Sequence, residues 1–317
     1  MIKDQIQKAV LRTLSFHAAW NYAPSKIQLF QTLDFGSDVV EIEQSRAYLE
    51  FESILQNLTD GQAIICGQGR FALTRNADTI NLGREKEIFF PRKLAHARKA
   101  AAYLTRLPNV RCVCICNTVA LGQSKDDSDI DFFIITRAGS IWRTRLLAVA
   151  PFKLLNARPG ESRKKDPVCL SFFITDQALD LSPFKIDDAD DPYLRYWFLT
   201  LLPLSDDGIL RCFWSANADL ISRHPFAQMP MALDKGPIIG GRECIDDYQK
   251  NKTAKSFLEN WVKNIQLRNF PPGIVNTANK STQVVINDNV LKFHVTDARA
   301  QIRERYHQIC HEYNVTP

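Results

Sequence analysis

The chain has 317 residues, of which 45% are hydrophobic, so it can bury the cores of two or three globular domains. Its 40 basic and 35 acidic residues leave a net charge of +5, which suits a phosphate-bearing ligand but is too small to indicate nucleic-acid binding. The eight cysteines lack framework spacing, no run of about 18 apolar residues occurs and the start shows no signal-peptide pattern, so we expect a cytoplasmic protein without a membrane span.

The first 83 residues contain three helical patterns followed by a hairpin signal. Apolar residues recur at helical spacing in three segments that end near residue 58. Two short apolar runs, 63–66 and 70–74, then flank a Gly-Gln-Gly turn, which indicates a β-hairpin. Three helices and a hairpin are typical of a winged helix-turn-helix, so we predict a winged-helix domain over residues 1–83.

The third of these helices would be the DNA-recognition helix. It and its approach carry four glutamates against one arginine, namely Glu41, Glu43, Glu50, Glu52 and Arg46. Affinity for DNA comes mainly from Lys and Arg side chains on the phosphates. DNA binding is therefore disfavoured, and packing or docking of a protein partner is the better interpretation of this module.

A charged segment at 83–91 is predicted to connect this module to the next domain. A helix over 92–106 follows, with its basic side interpreted as solvated. The apolar run 110–116 then predicts a core strand. Its three cysteines alternate, so they share one face, and we interpret them as small core residues rather than as a metal site.

The most informative stretch is an Asp-x-Asp pair that opens a second apolar strand. Asp129 and Asp131 point to the same face of a strand, where like charges about 5 Å apart repel by roughly 3 kcal/mol at an effective dielectric near 20. A divalent cation such as Mg²⁺ offsets this repulsion and also holds substrate phosphates. An acidic capping loop is the alternative. A calcium loop counted from Asp127 is excluded, because Phe132 and Ala138 stand where Gly and Glu are needed.

The predicted order of elements is a strand, a turn, a short helix and a strand that begins with Asp-x-Asp. In this order the chain resembles the DNA polymerase beta-like nucleotidyltransferase superfamily. The chain looks most like its small stand-alone prokaryotic members, which carry a Ser-Asp-x-Asp signature, here from Ser128 to Asp131. The family usually has Gly-Ser at the first turn, where this chain has Asn117 and Thr118. Asn tolerates a left-handed conformation and Thr keeps the hydroxyl, so the change conserves the chemistry. The resemblance covers residues 110–175.

The resemblance implies an enzyme that moves a nucleoside monophosphate from a nucleoside triphosphate (NTP) to the hydroxyl of an unknown acceptor. The catalytic and metal-binding residues would be Asp129 and Asp131, which would hold Mg²⁺ or Mn²⁺. The nucleotidyltransferase domain would span residues 91–182 and contain a mixed sheet.

The same resemblance suggests which residues bind the nucleotide. Asn117 and Thr118, with backbone amides near Gly122, would cradle the phosphates. Ser128 would order the start of the second strand. Arg145, on the helix after that strand, is a candidate for reaching the ligand, although an ordinary surface arginine fits the sequence equally well.

One departure from the family concerns a third carboxylate. The run 168–175 should pair beside the Asp-x-Asp strand, where the superfamily commonly carries this acid, but Ser171 occupies the polar position. Asp166 and Asp176 flank the run and are possible substitutes. The departure supports a second hypothesis, a catalytically degenerate binding or regulatory protein whose winged helix docks protein or DNA. A third, a DNA-binding regulator, is disfavoured by the acidic helix.

The remaining residues, 183–317, predict a mainly helical region with a hairpin at 284–294. Its helices are expected over 193–202, where Pro203 and the following residues end the first, over 209–221, and from a cap at Thr253 to residue 269. His307 and His311 have the zinc-binding spacing on a helix, but Gln308 stands where a metalloprotease needs Glu, so we interpret them as ordinary helix histidines. Lys292 and His294 share a strand face and could contact a ligand. The fold class predicted is α/β (α+β): a winged helix, a nucleotidyltransferase fold and a mainly helical region.

Overall fold

The computed structural model describes residues 2–37, 41–159, 165–187, 190–233, 257–294 and 297–317. Within these ranges the fold is mixed α/β, with twelve α-helices, a two-stranded sheet and a mixed six-stranded sheet. The helices are α1 (Ile2–Ala19), α2 (Lys26–Gln31), α3 (Gln44–Asp60), α4 (Asp78–Glu87), α5 (Phe90–Leu104), α6 (Asn117–Ala120), α7 (Ile141–Leu154), α8 (Pro192–Leu199), α9 (Ile209–Ala216), α10 (Phe257–Arg268), α11 (Pro272–Thr277) and α12 (Arg299–Glu312). The strands are β1 (Ile64–Gly67), β2 (Arg70–Leu73), β3 (Val110–Ile115), β4 (Ile130–Thr136), β5 (Val168–Thr175), β6 (Leu202–Asp206), β7 (Val284–Ile286) and β8 (Val290–Phe293).

The six-stranded sheet has the order β6-β3-β4-β5-β8-β7. β4 and β5 run parallel and every other neighbouring pair is antiparallel. The prediction that the run 168–175 lies beside the Asp-x-Asp strand is therefore confirmed, as is the late hairpin. Three of the six strands come from beyond residue 182, so the C-terminal part of the chain completes this sheet.

Both faces of the sheet are covered, because residues along β4 alternate between two apolar clusters. Ile130, Phe132 and Ile134 pack under α5, α7 and α10, and we call this the packed face. Phe133 and Ile135 lie on the other side, which we call the site face, together with Cys112, Cys114, Cys116 and parts of α8 and α9. The three cysteines are buried there, and burial raises the pKa of the Cys116 thiol, as expected for core residues.

The N-terminal module has the predicted elements, three helices followed by the β1–β2 hairpin. Ser25 begins α2 with a reciprocal capping box to Gln28. The core of the N-terminal module is shared with the C-terminal region, since α12 packs along α1 and the ring of Tyr196 stacks on that of Phe16 with a centroid distance of 3.8 Å. Among the helices of the described ranges, none has the length and hydropathy that crossing a bilayer requires.

Three element predictions were wrong for tertiary reasons. Most of the predicted connector 83–91 is helical, because Ile80 anchors α4 against the hairpin. The segment 202–206 was expected to end a helix but forms β6, since its backbone pairs with β3. The helix predicted to reach residue 221 stops at Ala216, where the buried Asn217 side chain bonds three backbone groups. A helix start predicted at Thr253 lies outside the described residues.

Candidate metal and nucleotide site

The start of β4 places two carboxylates beside a thiol. Ligand atoms of Asp129, Asp131 and Cys169 all lie within 4.8 Å of one another, and all three residues are half-buried. We call this group the Asp–Cys cluster. It is the group of His, Cys, Asp and Glu residues within the described ranges that could hold a metal ion, and it includes neither His307 nor His311.

The direction of the Asp131 carboxylate is set by the alternation along β4. Ile130 and Phe132 are fully buried on the packed face, which turns Asp131 towards the site face. A one-residue slip would move these apolar side chains out of the core, so the direction of the carboxylate is strongly determined. Oxygen atoms at this spacing can share a hard divalent cation.

Asn117 links the first turn to the Asp–Cys cluster. It adopts the left-handed conformation with φ of 57°, as its place in the predicted turn required. Its Nδ2 donates to Asp131 Oδ2 at 2.9 Å, and its Oδ1 accepts from the Tyr193 hydroxyl at 3.3 Å. A glycine at this position would provide the backbone conformation but not this hydrogen bond. Asn117 therefore orients a carboxylate, a role that the sequence did not suggest.

The loop between α6 and β4 is closed by local hydrogen bonds. Gly122 has φ of 68°, and the Gln123 amide donates to the Thr118 carbonyl at 2.8 Å. Ser128 Oγ accepts from the Lys125 amide at 3.0 Å. These contacts agree with an ordering role for Ser128 and close the loop that carries Thr118 and Gly122.

A buried lysine that was predicted to be solvated fixes the end of this loop. Lys93 is fully buried on α5 and donates to the Ser128 carbonyl and to Asp166 Oδ1, the latter at 2.8 Å. Arg92 donates two hydrogen bonds to the same Asp166 carboxylate. Burial raises the pKa of Asp166, but the hydrogen bonds and charges of Arg92 and Lys93 outweigh this effect and lower it. The loop before Asp129 therefore rests on an ionic network, which periodicity alone does not reveal.

The acids that flank β5 do not join the Asp–Cys cluster. Asp166 is paired with the α5 cations, and Asp176 accepts from Arg111 and from the Ala138 amide. Neither of them is therefore available as the third carboxylate that the sequence left open.

The side chain that faces Asp131 from β5 is Cys169, not Ser171. A bulge shifts the β4–β5 register after this pair, and Ser171 instead meets His294, whose Nε2 lies 3.2 Å from its hydroxyl oxygen. The sequence prediction missed Cys169 because it could not locate the bulge. The thiol remains protonated near neutral pH, since burial and the Asp131 charge raise its pKa strongly.

Electrostatics make this site favourable for a cation. Burial and the neighbouring Asp129 charge raise the pKa of Asp131 to about 6, although hydrogen bonds from Asn117 and Cys169 partly oppose the shift. Ionised Asp131 is thus strained without a counter-charge near it. A bound cation would relieve both the burial cost and the repulsion.

Lys292 and His294 share a strand face, as predicted, and the structure places both on the site face beside Phe172. Lys292 Nζ lies 5.8 Å from the centroid of the Phe172 ring, and the centroid of the His294 ring lies 5.9 Å from it. Burial, and then the Arg299 charge, lower the pKa of Lys292 to about 7. Burial and the Lys292 charge lower the pKa of His294 to about 4, so its imidazole is neutral at pH 7 and can bond Ser171.

Arg145 does not belong to this site. Its guanidinium carbon lies 5.0 Å from the Phe270 ring and 4.6 Å from the Phe293 ring, and its Nη1 donates to Gln266. These partners belong to the packed side of the sheet, opposite Asp131. Arg145 is therefore not a ligand-binding residue of this site, which corrects the first expectation. It is not a surface arginine either, because it lies on the buried side of α7.

Comparisons of the chain with protein-family models, with curated proteins and with solved structures found no match. Any functional proposal therefore rests on the geometry and chemistry of the Asp–Cys cluster and its surroundings.

Proposed function

We propose that the protein is a magnesium- or manganese-dependent nucleotidyltransferase that moves a nucleoside monophosphate from an NTP to an acceptor hydroxyl. The observation that carries this proposal is the placement of Asp129 and Asp131 beside the Asn117 turn, at the start of a central strand. The order strand, turn, short helix, strand agrees with a nucleotidyltransferase fold. The helices and hairpin of residues 2–73 agree with a winged helix.

The donor set fits a hard divalent cation. Two carboxylates supply the oxygen ligands that Mg²⁺ and Mn²⁺ prefer, and the Cys169 thiol is the softer third group of the cluster. When bound, such an ion supplies charge neutralisation at the NTP phosphates. Asn117 would hold Asp131 in its binding orientation, while Thr118 and the amides near Gly122 would contact phosphate oxygens.

A labelling experiment tests this proposal. Purified protein is incubated with each α-³²P-labelled NTP, Mg²⁺ or Mn²⁺, and a cell extract as a source of acceptors. Transfer of label that is lost in Asp129→Asn but retained in Asp127→Asn supports the enzyme, because Asp127 is an exposed acid of the same loop outside the Asp–Cys cluster. Equal labelling by both variants would refute the role of the pair.

A second function is favoured by the chemistry opposite Asp131. Cys169 and Ser171 occupy the strand where the family carries a third acid, and neither is a competent general base. This arrangement supports a degenerate scaffold that binds a nucleotide without turning it over. Calorimetry that detects metal-dependent NTP binding, together with absent label transfer, would select this alternative over the enzyme.

We further propose that the winged-helix module docks a protein rather than DNA. Two glutamates of α3 are paired within the module, Glu50 with Lys3 and Glu52 with Lys26. Since Arg46 is the single basic residue of this helix, α3 has no basic stripe that could face DNA phosphates. A mobility-shift titration with duplex DNA at low salt should show no complex. A complex that weakens steeply with added salt would overturn this part of the proposal.

A further inference from the structure

The outward side of α7 is rich in exposed apolar residues. Helical spacing places six of its residues on the side away from the sheet, four apolar, two basic and none acidic: Arg143, Leu146, Leu147, Ala150, Lys153 and Leu154. Leu154 is 84% exposed, and the following Leu155 is 61% exposed. The inner side of α7 is buried in the sheet core, so this helix is largely apolar on both sides. Helices of that composition are usually covered by another structure.

The helices on either side of α7 extend this surface. The Tyr103 hydroxyl of α5 donates to the Leu147 carbonyl at 2.8 Å, and Arg143 pairs with Glu259 of α10. All three helices have their inner sides in the core of the packed face, so their outer sides together form the outside of the protein here. We call the outer sides of α5, α7 and α10 the outer layer.

The charges of the outer layer are of one sign. α5 and α7 contain no Asp or Glu, and Glu259, the one acid of α10, is buried against Arg143. Four exposed cations on these helices or just after them form no ion pair within the described residues: Lys99, Arg106, Lys153 and Arg268. α10 also exposes two large aromatic side chains, Phe257 and Trp261. The outer layer therefore combines exposed apolar residues with unpaired positive charge.

This combination restricts what covers the outer layer. A second copy of the chain would bring unpaired cations against one another, with no exposed acid of these helices to offset them. Nucleic acids are bound through cations and aromatic stacking platforms, whereas the outward side of α7 offers leucines, which do not stack on bases. Exposed Leu, Phe and Trp together with Lys and Arg are the composition of surfaces that bind anionic lipids.

We propose that the outer layer docks the protein on an anionic lipid surface. The α7 leucines and the α10 aromatic rings enter the boundary between headgroups and acyl chains, and the unpaired cations contact the anionic headgroups. Lys153, in the middle of the apolar stripe, extends its charged end to the headgroups while its stem stays among the leucines. The Asp131 carboxylate is directed to the opposite face of the sheet, so this docking does not depend on the proposed nucleotidyl transfer.

Co-sedimentation of the full chain with vesicles tests the proposal. Vesicles of phosphatidylcholine alone are compared with vesicles that contain about 30% phosphatidylglycerol, both at low salt. We expect at least about tenfold higher affinity for the anionic vesicles, and at least about fivefold weaker binding when about 1 M salt screens the charges. Absence of binding to the anionic vesicles, or equal binding to both kinds, would overturn the proposal. Binding of poly-glutamate without binding of vesicles would assign the outer layer to an acidic protein instead and would also overturn it.

Three variants assign vesicle binding to the outer layer. Leu154→Glu puts a negative charge on the most exposed part of the α7 stripe and should weaken binding at least about tenfold. Lys153→Glu should weaken it at least about threefold and tests the charge separately. Leu49→Glu makes the same change at a leucine of α3 that is 67% exposed outside the outer layer, and it should bind like the unmodified chain. Unchanged binding in both outer-layer variants, or an equal loss in Leu49→Glu, would refute the assignment.

Discussion

Replacing Asp131 by Asn should stabilise the metal-free protein. The folded state raises the pKa of this carboxyl from 3.8 to about 6, so its ionised form is disfavoured in the fold. A shift of this size corresponds to about 3 kcal/mol, and partial solvent exposure reduces the expected gain to about 2 kcal/mol. The neutral amide keeps an oxygen that can accept from Asn117 Nδ2, so the local hydrogen bond survives.

The pH dependence has a defined sign. Below about pH 3 the carboxyl is protonated in both the folded and the unfolded state, and the variant should match the unmodified protein. As pH rises from about 4 to the folded pKa of about 6, the unmodified protein loses stability that the variant retains. Above this pH the difference should be constant.

Urea denaturation in a chelator, from about pH 4 to 8, measures the effect. Asp127→Asn removes the same charge from an exposed position and should change the free energy of unfolding by less than about 0.5 kcal/mol. Added Mg²⁺ at about 100 times its dissociation constant should stabilise the unmodified protein by about 2.7 kcal/mol and reverse the order. A variant that gains nothing, or gains equally at every pH, would refute a desolvated, repelled Asp131.

Three further predictions follow from the same geometry. Cys169→Asp should tighten Mg²⁺ binding in calorimetry by about tenfold, because a third carboxylate joins the cluster, and an unchanged dissociation constant would contradict this. Lys93→Met should lower the free energy of unfolding by about 3 kcal/mol, since it leaves Asp166 buried with fewer cations, and a loss below about 1 kcal/mol would show that the network is not structural. Burial lowers the pKa values of three histidines, His17, His224 and His294. Stability should therefore be lost as pH falls below about 6.5, by about 1.4 kcal/mol per pH unit for each histidine down to its folded pKa, and a pH-independent unfolding midpoint would exclude this.

Local chemistry made the central part of the site predictable. The acid pair was recognisable because two carboxylates, spaced two residues apart, stand at the start of an otherwise apolar strand. Few protein environments tolerate two like charges in that arrangement. Asn117 was expected in a left-handed conformation because few other residues adopt it readily, and its φ is 57°. Such signals depend on a residue and its immediate neighbours, so the sequence contains them in full.

Features that depend on distant partners were not predictable. Pro203 suggested the end of a helix, yet its segment becomes β6 because β3 offers an edge more than 80 residues earlier in the chain. Lys93 looked like one cation of a solvated helix face until the fold brought Asp166 to it. The bulge that follows the Asp131–Cys169 pair depends on how β5 pairs with β4, and the pattern of a single strand contains no such information.

The position of β6 and the β7–β8 hairpin late in the sequence has a consequence for anyone who wishes to isolate the part of the fold that holds the acid pair. A fragment that ended near residue 182 would leave the edges of β3 and β5 with bare amides and carbonyls, which invite pairing between molecules. The smallest unit that can hold the acid pair in place thus includes β6, β7 and β8, and residues up to Phe293 must be synthesised before the pair can be assembled.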